Sequence, residues 1–416
     1  MRHRTIAAAA SCLTLLAASA CGADDAGSDQ KEVTVGAILS MSGVYSTLGP
    51  AEKNAIELGV EELNKAGFEV DGTKHTMKFD YADDKSDPAT TGVAALRQMT
   101  QADKLPVVAF GLGSSTYAPQ LERNPLPMIN ILDSTHPSVL DYSDDIFLMR
   151  GLSDTYVPGC LAFADEQLGA TKIAVINTKG EPYGEGLTQL VQDHAGEHGL
   201  EVTDVADAPL GSPDYSAAID EVLGGKPDVV YLSSVTGVIL PVLKQLRQAG
   251  YDGPVMHSSG VNPDQAEAIL GADFATLMTD NYDCAGTLPT TSKNPAATAF
   301  AEKYQAAYGE YPQDLTMWAY DLPFVIASAM TEAGSVSDRD AILKALKTIE
   351  VPDGTVSGWL PSEDGALFTD RDARTLSEVT TWCPEAKTIA SAMVFDGLGG
   401  KIGEPKVNDD PCAQAK

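Results

Sequence analysis

Short runs of apolar, β-branched residues alternate along this chain with longer stretches whose apolar positions recur every three to four residues. The runs at 33–38 (VTVGAI), 106–110 (PVVAF) and 128–132 (MINIL) are too short for helices and too apolar for half-exposed strands, and 77–81 is strand-like; they predict buried strands. Between them, residues 51–65 carry Ala55, Leu58, Val60 and Leu63 at helical spacing, and 90–101 read as a helix after the acidic turn 83–88 (DDKSDP). The same alternation resumes with strands at 172–177 (KIAVIN), 200–205 and 228–233 (DVVYLS), and helices at 183–198, 215–223 and 240–249. Strands rich in Val and Ile, separated by helices, make parallel sheets with right-handed crossovers. Two such runs predict two doubly wound α/β lobes. Beyond Asp280 the pattern is mostly helical (296–307, 315–333, 339–348) and ends in a Gly/Pro/Asp-rich segment.

The beginning of the chain follows a different logic. Arg2, His3 and Arg4 precede a 15-residue apolar run from Ile6 to Ala20, and Ala18-Ser19-Ala20 stand before Cys21. A run of that length falls short of the ~20 residues a membrane-crossing helix needs, so it reads as the core of a signal peptide over residues 1–21. Small residues before Cys21 resemble a lipobox, which would make Cys21 the site of lipidation; an ordinary secretory cleavage site after Ala20 is the plainer reading. Residues 22–32 (GADDAGSDQKE) have no apolar periodicity and would serve as a flexible tether.

Composition narrows the function classes. The 416 residues suffice for two or three domains. Lys and Arg number 28 against 59 Asp and Glu, a formal net charge of −31. Such a surface repels phosphate backbones and anionic headgroups, so nucleic acid is excluded as a partner. Cys12 and Cys21 belong to the leader, which leaves Cys160, Cys284, Cys383 and Cys412. In an exported chain four cysteines suggest two disulfides with three connectivities open. Cys383 with Cys412 is preferred, because both lie near the C-terminus and would pin it; Cys160 with Cys284 then follows.

Few residues suggest catalysis. His194-Ala195-Gly196-Glu197-His198 spells H-x-x-E-H, a zinc-protease signature, but Gly196 weakens the helix that would have to align the histidines and Gly199 ends it. Residues 397–403 (GLGGKIG) lack the Ser or Thr of a phosphate loop, and Asp83, Asp84 and Asp87 read as a solvated turn. No metal site and no cofactor are expected. Ser114, Ser115 and Thr116 follow a strand and open a helix, where unpaired backbone N–H groups favour an anion. Ser114 either caps that helix or meets a ligand carboxylate.

Several segments in fixed order resemble the type I periplasmic binding proteins, in particular the leucine/isoleucine/valine-binding group that feeds ABC importers. They are 35–49 (VGAILSMSGVYSTLG), 83–88 (DDKSDP), 111–116 (GLGSST), 133–137 (DSTHP), 147–150 (FLMR) and 183–187 (YGEGL). The resemblance covers nearly all of residues 33–350. It implies two Rossmann-like lobes joined by a three-crossover hinge, the first made of residues 33–149 plus 285–352, the second of 150–284 plus 353–416. It also implies a ligand held between the lobes by Ser42, Ser114, Ser115, Ser134 and Thr135 on one side and Tyr183 on the other.

Departures from the amino-acid-binding pattern are as informative. Ser259 stands where relatives carry an ammonium-binding glutamate, Ser234-Val235-Thr236 where an aromatic is usual, and Leu48 where the first lobe has one. Asp133 could restore the missing charge. The resemblance implies a monomeric, non-enzymatic lipoprotein on the outer face of the cytoplasmic membrane that hands a small ligand, an amino acid or related carboxylate, to an ABC permease. A surface sensor of the same fold and an exported hydrolase are the alternatives.

Overall fold

The computed structural model describes residues 30–414 except 123, 134–136, 262 and 399. The signal-peptide and lipidation expectations, Cys21 included, lie outside the described residues, as do Ser134 and Thr135.

The first lobe begins with β1 (Lys31–Leu39), α1 (Gly49–Ala66), β2 (Phe68–Val70), β3 (Thr73–Asp83), α2 (Val93–Arg97), β4 (Val108–Phe110), α3 (Ser114–Leu121), β5 (Met128–Asn130) and β6 (Ile146–Leu148). The second contains α4 (Val157–Glu166), β7 (Lys172–Lys179), α5 (Pro182–His194), β8 (Glu201–Pro209), α6 (Ser216–Gly224), β9 (Val229–Ser233), α7 (Thr236–Gln248), β10 (Val255–His257), α8 (Pro263–Leu270), α9 (Phe274–Leu277) and β11 (Asn281–Gly286). There follow α10 (Pro295–Tyr308), α11 (Asp314–Ala333), α12 (Arg339–Leu346), β12 (Phe368–Thr369), β13 (Asp372–Ala373), β14 (Ser377–Cys383), β15 (Thr388–Phe395), β16 (Gly397–Leu398), β17 (Lys401–Ile402) and β18 (Lys406–Val407). One sheet runs β12-β13-β6-β5-β4-β1-β3-β2 and the other β18-β15-β14-β11-β10-β9-β7-β8. Within each, the central pairs are parallel, β1 with β3 and β4, β9 with β7 and β10. Helices cover both faces, which is why β4, β5, β6 and β9 are buried at every position.

The first sheet's larger core gathers Val35, Leu39, Ile56, Trp318, Leu322 and Ile326 between β1, α1 and α11. The packing of α1 on α11 depends on Gly59, where a Cβ would stand 2.1 Å from the Tyr320 carbonyl oxygen. No helix among the described residues is long and apolar enough to cross a membrane.

Three sequence expectations need correction. Strand β1 starts at Lys31, so the last two residues of the expected tether are already paired, with His75 and Thr76. The return to the second lobe comes at Ser377, not at 353. Two buried interactions hold the intervening stretch to the first lobe: the Asp321 carboxylate accepts the N–H groups of Val356 and Ser357 at 2.8 Å each, and Trp359 Nε1 donates to the Met149 carbonyl at 3.1 Å. Ala373 and Phe368 then join the first lobe's core.

The third correction concerns the cysteines. Cys383 and Cys412 are bonded, with Cα atoms 5.2 Å apart, but Cys160 and Cys284 are free buried thiols. They pack as small apolar side chains in one core with Leu161, Val175 and Val379. Burial, with Cys160 beside it, pushes the Cys284 thiol well up.

The chain crosses between the lobes at 149–156, 287–294 and 374–376. Buried carboxyls tie these crossovers together: Asp372 Oδ2 accepts the Leu152 N–H at 3.4 Å, and Glu378 Oε1 accepts that of Leu288 at 2.6 Å.

Candidate functional site

A cavity of about 470 Å³, counted out to its mouth, lies between the lobes at the C-terminal ends of the strands, where open α/β sheets hold ligands. Leu48, Leu112, Leu132 and Asp133 line it from the first lobe, and Tyr183, Val235, Thr236 and Ser259 from the second. Arg150 enters from the first crossover, and Asp314 and Leu315 from the start of α11.

Of the expected ligand residues, Asp133, Tyr183 and Ser259 reach the cavity and Ser42, Ser114 and Ser115 do not line it. Ser42 turns to its own lobe: its hydroxyl donates to Asp83 Oδ2 at 2.6 Å and its N–H to Asp83 Oδ1 at 3.2 Å. Ser115 is exposed.

Ser114 differs from expectation in a revealing way. Its hydroxyl is buried and makes no hydrogen bond, so it does not cap the helix. The cap comes from Asp133, whose Oδ2 accepts the backbone N–H groups of Gly113 at 3.1 Å and Ser114 at 2.8 Å. Gly113 makes this approach with φ of 109°, and a Cβ there would come 2.8 Å from Pro88 Cβ, so a side chain is excluded on both counts. The helix N-terminus expected to receive a ligand's carboxylate thus holds one belonging to the chain.

Tyr183, expected to close over the ligand, does present its ring to the cavity, but its hydroxyl donates to the Ser258 carbonyl and meets the Tyr156 hydroxyl at 3.0 Å. It stands at the start of α5, whose first N–H groups are capped by Glu181 through contacts to Tyr183 at 3.2 Å and Gly184 at 2.7 Å. Burial, opposed by those two N–H groups and reinforced by Asp133, moves the Glu181 carboxyl up to about 7. Ser259 is fixed from two sides: its N–H donates to Asp283 Oδ1 at 3.2 Å and its carbonyl accepts the Thr236 hydroxyl at 3.1 Å.

Sequence reasoning missed Arg150 and Asp314 as site residues. Arg150 is 5% exposed, its Nη2 is 3.7 Å from Asp314 Oδ2, and its guanidinium lies 5.4–5.5 Å from the ring centres of Tyr156, Tyr183 and Trp318. Burial works against its charge, but Tyr183, Tyr156 and Asp314 outweigh that and move its pKa up, so it stays a cation. Burial raises the Asp314 carboxyl while Arg150 pulls it back. The sequence signal available for Arg150 was a lone cation closing the apolar strand FLMR; Asp314 had none, since it reaches the cavity only through the placement of α11.

The H-x-x-E-H segment is not a metal site in form. Helix α5 ends at His194 and the remaining residues make a 3-10 turn, so the two histidines do not share one α-helical face, and His194 Nδ1 pairs with Glu197 at 3.1 Å. Among the described residues no group of three His, Cys, Asp or Glu side chains is placed to hold a metal ion.

Residues 32–375 match the family model described as periplasmic binding protein. A Leu/Ile/Val-binding protein homologue of Brucella melitensis is 27% identical over 334 residues, covering 78% of this chain and 87% of the relative. The branched-chain amino acid transporter substrate-binding protein of Streptococcus pneumoniae, solved with isoleucine, superposes with a TM-score of 0.71 at 19% identity, over 91% of this chain and 99% of that one. A solute-binding protein of an ABC transporter from R. palustris, solved with benzoate, gives 0.70 at 17% identity, over 86% and 95%. At these identities the two structures attest the two-lobe fold alone.

Proposed function

The chain belongs to the periplasmic binding protein family, and from that premise we propose that it is the solute-binding component of an ABC importer of the branched-chain amino-acid type. It captures a small amphipathic solute between its lobes and presents it to a membrane permease, without chemical turnover. The observation that carries this reading is the interlobe cavity, walled from both lobes by apolar side chains with a few polar groups converging on it, the usual make-up of a small-ligand site of ~300–1,000 Å³. Relatives solved with isoleucine and with benzoate support a solute of that size. A ligand touching both walls would draw the lobes together by favouring the closed arrangement. The leader reading makes the protein exported and anchored through acylated Cys21.

A thermal-shift screen of ligand-stripped mature protein against amino acids, amines, amides and aromatic acids tests this, since a ligand of the native state raises its melting temperature by mass action. The reading requires that a hit be lost in Ser259→Trp, which fills the cavity, and that it shrink the radius of gyration in scattering. A hit kept in that variant with unchanged dimensions would refute the cleft. The anchor is tested by Cys21→Ser, expected to release the protein from the membrane fraction.

A further inference from the structure

Two helices bring their N-termini to the cleft, one from each lobe, and each is already filled by a carboxylate of this chain. On α3 it is Asp133 and on α5 it is Glu181, each accepting two backbone N–H groups. A ligand carboxylate arriving at α3 would have to displace Asp133 or sit against it, and like charges at such range repel strongly where water is excluded.

The cavity's charges do not cancel. Its wall carries two carboxylates, Asp133 and Asp314, and one guanidinium, Arg150. Arg150 is engaged with Asp314 and stands among three aromatic rings, which leaves Asp133 without a cation. Asp314 Oδ2 is buried in the same wall and accepts no hydrogen bond, an acceptor that a ligand bearing N–H donors can satisfy. Of the remaining wall residues, Leu48, Leu112, Leu132, Val235 and Leu315 offer only apolar surface, and Tyr183, Thr236 and Ser259 complete the lining.

Resting on the cleft as the solute site, we infer that the ligand is an organic ammonium ion: an aliphatic body packed on those five side chains, with its nitrogen on the free oxygen of Asp133. Glu181 does not line the cavity, but its carboxyl is close enough to Asp133 to feel that charge, so a cation on Asp133 also eases the repulsion between the two. Specificity for the ammonium comes from the self-filled helix N-terminus, which converts a site for anions into an acceptor for cations.

Three probes sharing one aliphatic body separate the charge classes: 3-methylbutylamine, 3-methylbutanoate and leucine, titrated calorimetrically into ligand-stripped mature protein. The amine is expected to bind at least ten times more tightly than the carboxylate, and Asp133→Asn to weaken the amine at least tenfold. Asn keeps an oxygen acceptor for the Gly113 and Ser114 N–H groups, so the melting temperature of unliganded Asp133→Asn should stay near that of the wild type. A carboxylate preference, leucine binding indifferent to Asp133→Asn, or no binding of the amine would each overturn the inference. None of these would touch the cleft reading, which stands or falls separately on whether bound probes or screening hits are lost in Ser259→Trp.

Discussion

His257 Nδ1 lies 3.2 Å from Asp283 Oδ1 in the second lobe, and neither side chain has ready access to water. His257 Nε2 meets Asn281 Oδ1 at 2.9 Å, while the Asp283 carboxylate also accepts the N–H groups of Ser259 at 3.2 Å and Val261 at 3.0 Å. The pair therefore anchors the loop that brings Ser259 to the cavity.

Its pH dependence has a definite sign. Burial lowers the His257 pKa, but Asp283 and Asn281 outweigh it and the net move is up from 6.5; burial raises Asp283, but His257 and the loop N–H groups outweigh it and the net move is down from 3.8. The histidine's contribution is complete below its unfolded value and is lost as pH rises through the higher folded one. The aspartate's contribution is present above its unfolded value and is lost as pH falls through the lower folded one. His257→Gln strands a buried carboxylate, a loss of roughly 3–5 kcal/mol. The gap in melting temperature to wild type should be widest near pH 5–6 and narrow toward alkaline pH; a constant gap would show that His257 acts by shape alone.

Glu52, buried in α1, gives the opposite kind of carboxyl. Burial, with Asp84 nearby, moves it from 4.5 to about 8, and its Oε1 has no hydrogen-bond partner. The folded state holds a proton the unfolded chain releases, so stability present below about pH 4.5 is lost as pH rises through about 8. At roughly 1.4 kcal/mol per pH unit the ceiling on that loss is about 5 kcal/mol. Glu52→Gln should remove it, so that the variant gains on wild type steadily from pH 5 to pH 8 in denaturant melts.

Much of the fold was legible in the chain because runs such as KIAVIN and DVVYLS leave a buried parallel strand as the only economical arrangement. The C-terminal hairpin was not. β14 (SEVTTWC) is a central strand, between β11 and β15, yet its polar side chains find tertiary partners: Glu378 Oε1 takes the N–H of Leu288, and Thr381 donates to the Asn281 carbonyl at 3.0 Å. Polar composition concealed a buried strand. The site was half legible for a similar reason. Loops at strand ends could be picked out, and with them Asp133, Tyr183 and Ser259, but where each serine's polar groups go depends on partners 19 to 41 residues away: Asp133 takes the Ser114 backbone N–H and Asp83 takes the Ser42 hydroxyl.

The disulfide Cys383–Cys412 spans 29 residues and joins the end of β14 to the C-terminal turn. Removing it by Cys383→Ser with Cys412→Ser should cost roughly 2–4 kcal/mol, read as a lower urea midpoint. Thiol titration of a chain lacking Cys12 and Cys21 should find no reactive group in the native state and two after unfolding, from Cys160 and Cys284. Four thiols on unfolding would show that Cys383 and Cys412 were never joined, and none would mean a second disulfide after all.

The cap on α3 separates two serine roles that sequence alone left open. If Ser114 were the N-cap, Ser114→Ala would lose about 0.5–2 kcal/mol while Ser114→Gly would lose only a few tenths. The structure reverses that order. The Ser114 hydroxyl is buried without a partner, and deleting an unsatisfied buried hydroxyl is neutral or favourable, so Ser114→Ala should leave stability unchanged or raise it slightly. Ser114→Gly keeps the backbone N–H that Asp133 uses but adds backbone freedom at the first helical position, and should be the weaker of the two by up to about 1 kcal/mol. The capping cost moves to a residue 19 positions on: Asp133→Ala leaves the N–H groups of Gly113 and Ser114 without their acceptor and should lose about 0.5–2 kcal/mol. Chemical denaturation of the three variants measures the ranking directly. Ser114→Ala as the most damaging of the three would return the cap to the serine and free the α3 N-terminus for an anion.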